Sequence, residues 1–434
     1  MRAIRKLAVV GAVGATLAGL GLLGAGAAMA DPSSPPILNT IVGVGSDTVT
    51  PLFDNGVPGG ATGSFVHDYN ATDPQYKVAS WDAVNPSTGV ADQTIKTKAK
   101  SSTDTSCDLT RPDGSSAGIA ALNEDQTDTN KNSAGQTVYC IDYARSSRPP
   151  NTTTFEDAFV TLARDGIAWS YPKVSGKTNP QPVSLTKAQL VAIYTCQTTN
   201  WDKVGGTDAP IGVVIPQTGS GTRSTWLLEL GITATDEPCW QNGTVTVDGT
   251  TDVIEENTGL SAGNVAQFTK SQTFPDGKTI APQDDIFPYS IGDNIAQGTL
   301  TDGVGGHATS VWGHGNLRLG ETKTVAGVAE VAITKNSSGQ PVINPAWNPG
   351  FLRILYGVTR NGCYVSSDPT STAVCLPSTT PPTGGTVYPS YEVTGLKAFF
   401  SKTGWVCTNA TAKADIVSYG FTTLSNCGAL TAGD

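Results

Sequence analysis

The chain has 434 residues, room for two to four domains at about 100–200 residues each. Lys and Arg number 27 against 37 Asp and Glu, a formal net charge of −10 with no basic run, which excludes nucleic-acid backbone binding as a working reading. Charged residues are 15% and hydrophobic ones 38%, so full disorder is excluded, and hydroxyls and amides must solvate much of the surface.

At the start, Arg2, Arg5 and Lys6 precede a small, apolar run from Leu7 to Ala27, and Ala28-Met29-Ala30 follows. That order predicts a secretory signal at residues 1–30, cleaved after Ala30. No apolar run beyond residue 30 reaches the roughly 20 residues that span a bilayer. No cysteine stands near the cleavage point, so a freely exported chain without a lipid anchor is expected. The eight cysteines agree with export: an even number in an oxidising compartment reads as four disulfides. Nearest neighbours are expected to pair: Cys107 with Cys140, Cys196 with Cys239, Cys363 with Cys375, and Cys407 with Cys427. Zinc is set aside, because no C-x2-C pair is present.

In the remainder, Ile37 to Val44 reads as a strand ending in Gly45-Ser46-Asp47-Thr48. Residues 85–136 are rich in Ser, Thr, Asp and Gly. Val138 to Ala144 reads as a strand. The spacing of Phe155, Phe159 and Leu162 predicts a helix over 154–162, and Gly166 to Tyr171 reads as extended. Leu185, Leu190, Val191 and Tyr194 make one stripe of a helix capped by Ser184 or Thr186. Ile211 to Pro216 is a strand, followed by Thr218-Gly-Ser-Gly-Thr222 and a helix starting near Arg223. Phe351 to Val358 is a further apolar run, 376–390 a Pro/Thr/Gly loop, and Leu396 to Phe400 the start of a late helix. Strands, Gly/Ser turns and helices in alternation predict an α/β protein.

Three turns share a composition suited to an anion: Gly45-Ser46-Asp47-Thr48, Gly114-Ser115-Ser116-Ala117-Gly118 and Gly219-Ser220-Gly221-Thr222. Glycines let the backbone approach a ligand, hydroxyls add donors, and the N–H groups of a helix start favour negative charge. Arg145, Arg148 and Arg223 lie close to such segments in a chain poor in arginine. The bland alternative is three helix caps and surface salt bridges.

The order of these segments resembles the phosphate-binding proteins of ABC importers, within the type II periplasmic-binding-protein superfamily. Ile41-Val-Gly-Val-Gly-Ser-Asp-Thr48, Gly114-Ser-Ser-Ala-Gly118 and Ile141-Asp-Tyr-Ala-Arg-Ser-Ser-Arg-Pro149 are similar to that family's first three ligand loops. Leu185-Thr-Lys-Ala-Gln-Leu-Val-Ala-Ile-Tyr194 with Thr199-Asn-Trp201, and Val213-Val-Ile-Pro-Gln-Thr-Gly-Ser-Gly-Thr-Arg223, are similar to its second-domain segments. The resemblance implies a two-domain α/β fold with the ligand cleft between domains. It places domain 1 at 31–167 plus 353–434 and domain 2 at 168–352. It implies a non-enzymatic binder of phosphate or a similar tetrahedral oxyanion, a monomer working with an ABC permease, with neither cofactor nor metal. The implied ligand contacts are Ser46, Asp47, Thr48, Ser115, Ser147, Ser220, Gly221 and Thr222, with Arg223, or Arg145 and Arg148, as the cation. This chain has Ser147 where the family's proton-accepting aspartate falls, and Pro216 where a common arginine falls. Asp47 is then the available acceptor for the proton that distinguishes phosphate from sulfate.

Other readings have less behind them. The histidines are His67, His307 and His314, and no G-x-S-x-G elbow occurs, which leaves a secreted hydrolase or phosphatase without a visible nucleophile site. A sulfate or organic-acid binder stays open, as does a cell-surface module. Trp201, Trp226 and Trp240 are expected in the core.

Overall fold

The computed structural model describes residues 31–53, 63–85, 90–125, 139–151, 157–172, 174, 176–247, 250–256, 270–301, 317–323, 327–360 and 390–433. The leader, Cys363, Cys375, His307, His314 and the 376–389 stretch lie outside the described residues. Within them the chain is mixed α/β around one large sheet, in keeping with the expected fold class.

The principal strands are β1 (Ile41–Gly45), β2 (Val78–Ser80), β3 (Tyr143–Ser146), β4 (Asp157–Pro172), β5 (Gly212–Ile215), β6 (Trp240–Asn242), a hairpin of β7 (Thr244–Val247) and β8 (Thr250–Val253), then β9 (Asp285–Ser290) and β10 (Leu352–Arg360). The sheet runs β2-β1-β3-β10-β4-β9-β5-β6. Its flanks are parallel, as β1 pairs with β2 and β3, and β5 with β6 and β9. Its middle is antiparallel, where β4 pairs with β10 from Asp157↔Arg360 to Gly166↔Leu352, and with β9 from Ile167↔Ser290 to Ser170↔Phe287. The 16 residues of β4 therefore run through both flanks.

Buried apolar side chains group on either side of Gly166. Ile41, Phe53, Val160, Ala163, Leu355 and Phe400 belong to one cluster, and Ile167, Trp169, Trp201, Trp226, Trp240 and Phe351 to another. The three tryptophans are core residues, as expected, and Trp201 and Trp240 give their indole N–H to backbone carbonyls. Helix α4 (Ile291–Thr301) touches both clusters through Ala296 and Ile295.

Of the helix expected over 154–162, the described residues, Asp157 onward, are strand instead. Phe159 packs with Val42 and Ile119 on one face of the sheet, and Val160 and Leu162 pack on the other. A strand buried on both faces presents a continuous apolar run, which periodicity alone does not separate from a buried helix. The late helix also differs: it spans Ser390–Phe400, so Leu396–Phe400 is its end. The helix expected over 184–194 forms as α2 (Lys187–Tyr194), with Thr186 rather than Ser184 as cap in a reciprocal capping box with Gln189. Cys107–Cys140, Cys196–Cys239 and Cys407–Cys427 are bonded as expected. No described helix is long and apolar enough to cross a membrane.

Candidate functional site

The loops after β1, β3 and β5 all leave the carboxyl ends of parallel strands, where open α/β sheets gather their ligands. After β1 the backbone turns at Gly45, whose φ of +108° favours glycine and whose missing side chain admits the Arg145 carbonyl. Ser46, Asp47 and Thr48 follow, all buried. After β5 the chain turns through Gln217–Gly219 into helix α3 (Gly221–Leu230), with Ser220 as its N-cap. A side chain at Gly221 would collide with the hydroxyls of Ser115 and Ser147, so glycine there lets the three loops close on one another.

At their meeting point lies the carboxylate of Glu256, three residues past the β7–β8 hairpin. Its Oε1 accepts from the Ser46 hydroxyl at 3.1 Å, the Thr48 N–H at 3.0 Å and the Thr48 hydroxyl at 2.8 Å, with the Ser147 hydroxyl at 3.5 Å. Its Oε2 accepts from the Ser220 hydroxyl and, at 2.9 Å, from the Thr222 N–H. One oxygen is thus held by the first loop and the other by the N-terminus of α3, where the helix dipole adds to the attraction.

The nearby cation is Arg353 on β10. Its guanidinium pairs with Asp165, its register partner on β4, at 2.8 Å, and donates to the Thr222 hydroxyl at 2.9 Å and the Thr48 hydroxyl at 3.3 Å. Asp165 is fixed in turn by the Ser290 hydroxyl and the Gly292 N–H. Burial alone would raise the pKa of Glu256. The Arg353 charge and the hydrogen bonds from Ser220, Thr222 and Thr48 outweigh it and hold the carboxyl below its ordinary value. The cradle therefore contains an anion, and that anion is the chain's own.

The family model described as a PBP superfamily domain matches residues 32–283, more than half of the chain. The chain belongs to that superfamily. No curated protein matches it. Among solved structures, a Clostridium perfringens protein with bound phosphate, assigned as the substrate-binding protein of a phosphate ABC transporter, is 15% identical over 89% of this chain and 100% of its own, with a TM-score of 0.44. An ABC-type phosphate transport receptor of Vibrio cholerae is 18% identical over 88% and 100%, TM-score 0.40. PstS of Borrelia burgdorferi is 16% identical over 88% and 98%, TM-score 0.36. At such identities and scores the likeness is distant.

In this PBP-superfamily chain the anticipated residues separate into three groups. Ser46, Thr48, Ser147, Ser220 and Thr222 surround Glu256, with Gly221 giving the close approach. Ser115 stands one step back, accepting the Ser147 N–H at 3.0 Å. Asp47, Arg145 and Arg223 do not reach the cradle carboxylate. Arg145 lies beneath the first loop and donates to the carbonyls of Gly45, Ser46 and Trp81 and to the Thr50 hydroxyl. Arg223 donates to the carbonyls of Pro216 and Thr235 and to Asn242. These two arginines brace loops, and Arg353 takes the position expected of them because the antiparallel middle of the sheet carries it there.

Asp47 turns to Asp113 and Glu255, and oxygens of the three carboxyls lie within 4.8 Å of one another. Among the described residues no N–H or hydroxyl donates to Asp47, whose hydrogen-bonding neighbour is the Glu255 carboxyl, whereas Asp113 accepts from the Gln217 amide at 2.7 Å. Burial, and then mutual repulsion, raise Asp47 and Glu255 well above the carboxylate range, and burial pushes Asp113 up to about 6. Such an all-oxygen group is the arrangement in which a hard divalent cation would fit if this chain held one.

Glu256, Arg353 and Asp165 were missed. Arg353 had a signal, a lone charge inside the apolar run from Phe351 to Val358. Glu256 had only its place after a polar hairpin.

Proposed function

We propose that the protein captures a small tetrahedral oxyanion outside the membrane, phosphate above all, and hands it to an ABC permease. The observation that carries this is the convergence of two backbone N–H groups and four hydroxyls on one buried carboxylate, with Arg353 behind the Thr48 and Thr222 hydroxyls. A set that stabilises one anionic oxygen pair without water has the donors for another anion of that size. The net charge of −10 repels anions at long range, so affinity has to arise from these local, desolvated donors. The motif resemblance favours phosphate. It also favours a monomer with lobes of 31–167 plus 353–434 and 168–352 and the ligand between them, while the signal pattern of residues 1–30 favours export after cleavage at Ala30. The reading is of a binder without catalysis, as the motif resemblance implies.

A thermal-shift panel of phosphate, sulfate and chloride, run on the wild type and on Glu256→Ala, tests it. Phosphate at 100 times its Kd is expected to add about 2.7 kcal/mol to folding stability. No response to phosphate in either protein removes the reading.

A further inference from the structure

We infer that Glu256 is a tethered competitor for the anion site and sets both its affinity and its selectivity. This rests on the oxyanion reading of the same cradle. The carboxylate takes the hydroxyls of Ser46, Thr48 and Ser220 and the N–H groups of Thr48 and Thr222, so an incoming anion that uses these donors has to displace it.

The local chain geometry allows that exchange. Ile254 is buried and pinned, its N–H to the Gly243 carbonyl at 2.9 Å and its carbonyl to the Gln217 N–H at 3.0 Å. Glu256 lies two residues beyond this anchor, so its carboxylate can leave while the hairpin stays in place. The seat is also uneven. Glu256 is fully satisfied, but its neighbour Glu255 is pressed against Asp47 and Asp113, and its Oε1 meets no donor among the described residues.

Tethering makes the competitor effective, because a group on a short linker acts at a millimolar effective concentration. If the cradle is free in only a small fraction of molecules, the apparent Kd for an external anion rises by the inverse of that fraction. Selectivity follows from geometry. A monocarboxylate offers the same two oxygens as Glu256 without the advantage of the tether. A tetrahedral dianion offers four oxygens and a second charge, and can engage Arg353 as well as the hydroxyls.

The test is calorimetric titration of inorganic phosphate into wild type, Glu256→Ala and Glu256→Gln at one pH and salt concentration. Sodium acetate is added separately in a thermal scan. Removal of the competitor is expected to tighten phosphate binding at least tenfold in Glu256→Ala, and by a smaller factor in Glu256→Gln. Glu256→Gln keeps the side-chain shape and guards against loss of fold. Acetate is expected to raise the melting midpoint of Glu256→Ala, whose cradle it can enter, and not that of the wild type. Equal phosphate affinity in all three proteins, or weaker binding in the variants, overturns the competitor role and leaves the oxyanion reading standing. No phosphate binding by any of them overturns both. Failure of acetate to stabilise Glu256→Ala overturns the assignment of the cradle as the seat of a carboxylate.

Discussion

Glu255 and Glu256 are adjacent in sequence and equally withdrawn from water, yet they behave oppositely. Glu256 has five donors within 3.1 Å and the Arg353 charge close by, and its pKa is held below the ordinary value. Glu255 faces Asp113 and Asp47, and its pKa is driven up. Burial is common to both, so it does not decide the outcome. The partners decide it, and one residue step of the chain places a carboxyl in one environment or the other. An anion site is recognisable here by how much stabilisation it gives a charge.

The comparison breaks most sharply at Arg353. Arg353→Ala would leave Asp165 buried without its partner and remove the cation beside Glu256. Breaking one side of a buried ion pair costs roughly 3–5 kcal/mol, because the surviving charge is stranded. Urea denaturation should show a loss of that size. A loss below about 1 kcal/mol would mean that the hydroxyls alone sustain the charge on Glu256, and the contrast with Glu255 would then rest on hydrogen bonds only.

A pH series sharpens the same contrast with opposite signs. Asp47, Asp113 and Glu255 have folded-state pKa values raised above those of the unfolded chain, with Asp113 at about 6. Such groups hold protons in the folded state that the unfolded chain releases. Stability therefore falls as pH rises from the unfolded value near 4 through the folded one, by up to about 1.4 kcal/mol per pH unit for each retained proton. The double variant Asp47→Asn, Glu255→Gln should flatten that slope above pH 4. Glu256 is lowered, so its contribution is present above its unfolded value and lost as pH falls below it. Glu256→Gln should accordingly lose stability mainly above about pH 4.5 and leave the alkaline slope alone. Denaturation midpoints across pH 3–8 give both curves, and identical slopes in wild type and double variant would dissolve the distinction.

How much of this was legible in the sequence follows the same physics. The donors were legible, since three Gly/Ser/Thr turns of one composition stood at the ends of apolar strands, and Ser46, Thr48, Ser147, Ser220 and Thr222 do converge. The strand β5 was legible too, and so was β1 apart from its start, which lies at Ile41 and not at Ile37. What the sequence hid depends on the partner across the sheet. β4 was read as a helix at its start because its two buried faces erase the alternation that marks a strand. Arg353 reaches the cradle only because β10 pairs with β4 in the register that sets it opposite Asp165. Asp47 was expected in the cradle, but the backbone after Gly45 points its side chain toward Asp113, while the Thr48 backbone and hydroxyl take the place beside Glu256. Glu256 arrives from a polar hairpin that carries no periodic signal, and nothing local marks it as a ligand to loops more than 30 residues away.

The smallest expected effect concerns Arg223, which directly follows the Gly-Ser-Gly-Thr loop and is, on sequence grounds, an obvious cation for the anion. Its backbone N–H is committed to the Ser220 hydroxyl at 3.0 Å, as the cap of α3 requires. Its guanidinium is turned away, to the Pro216 and Thr235 carbonyls and Asn242, 5.8 Å from the Trp240 ring centre. Truncation to alanine removes these contacts and keeps the capped backbone. The residual influence on the cradle is a screened charge, worth no more than about 1 kcal/mol, or roughly fivefold in Kd. Arg223→Ala should therefore lose stability in denaturation while changing phosphate affinity by less than that factor. A loss of affinity of tenfold or more, with the fold intact, would place Arg223 rather than Arg353 as the working cation and redraw the boundary between the cradle and its surroundings.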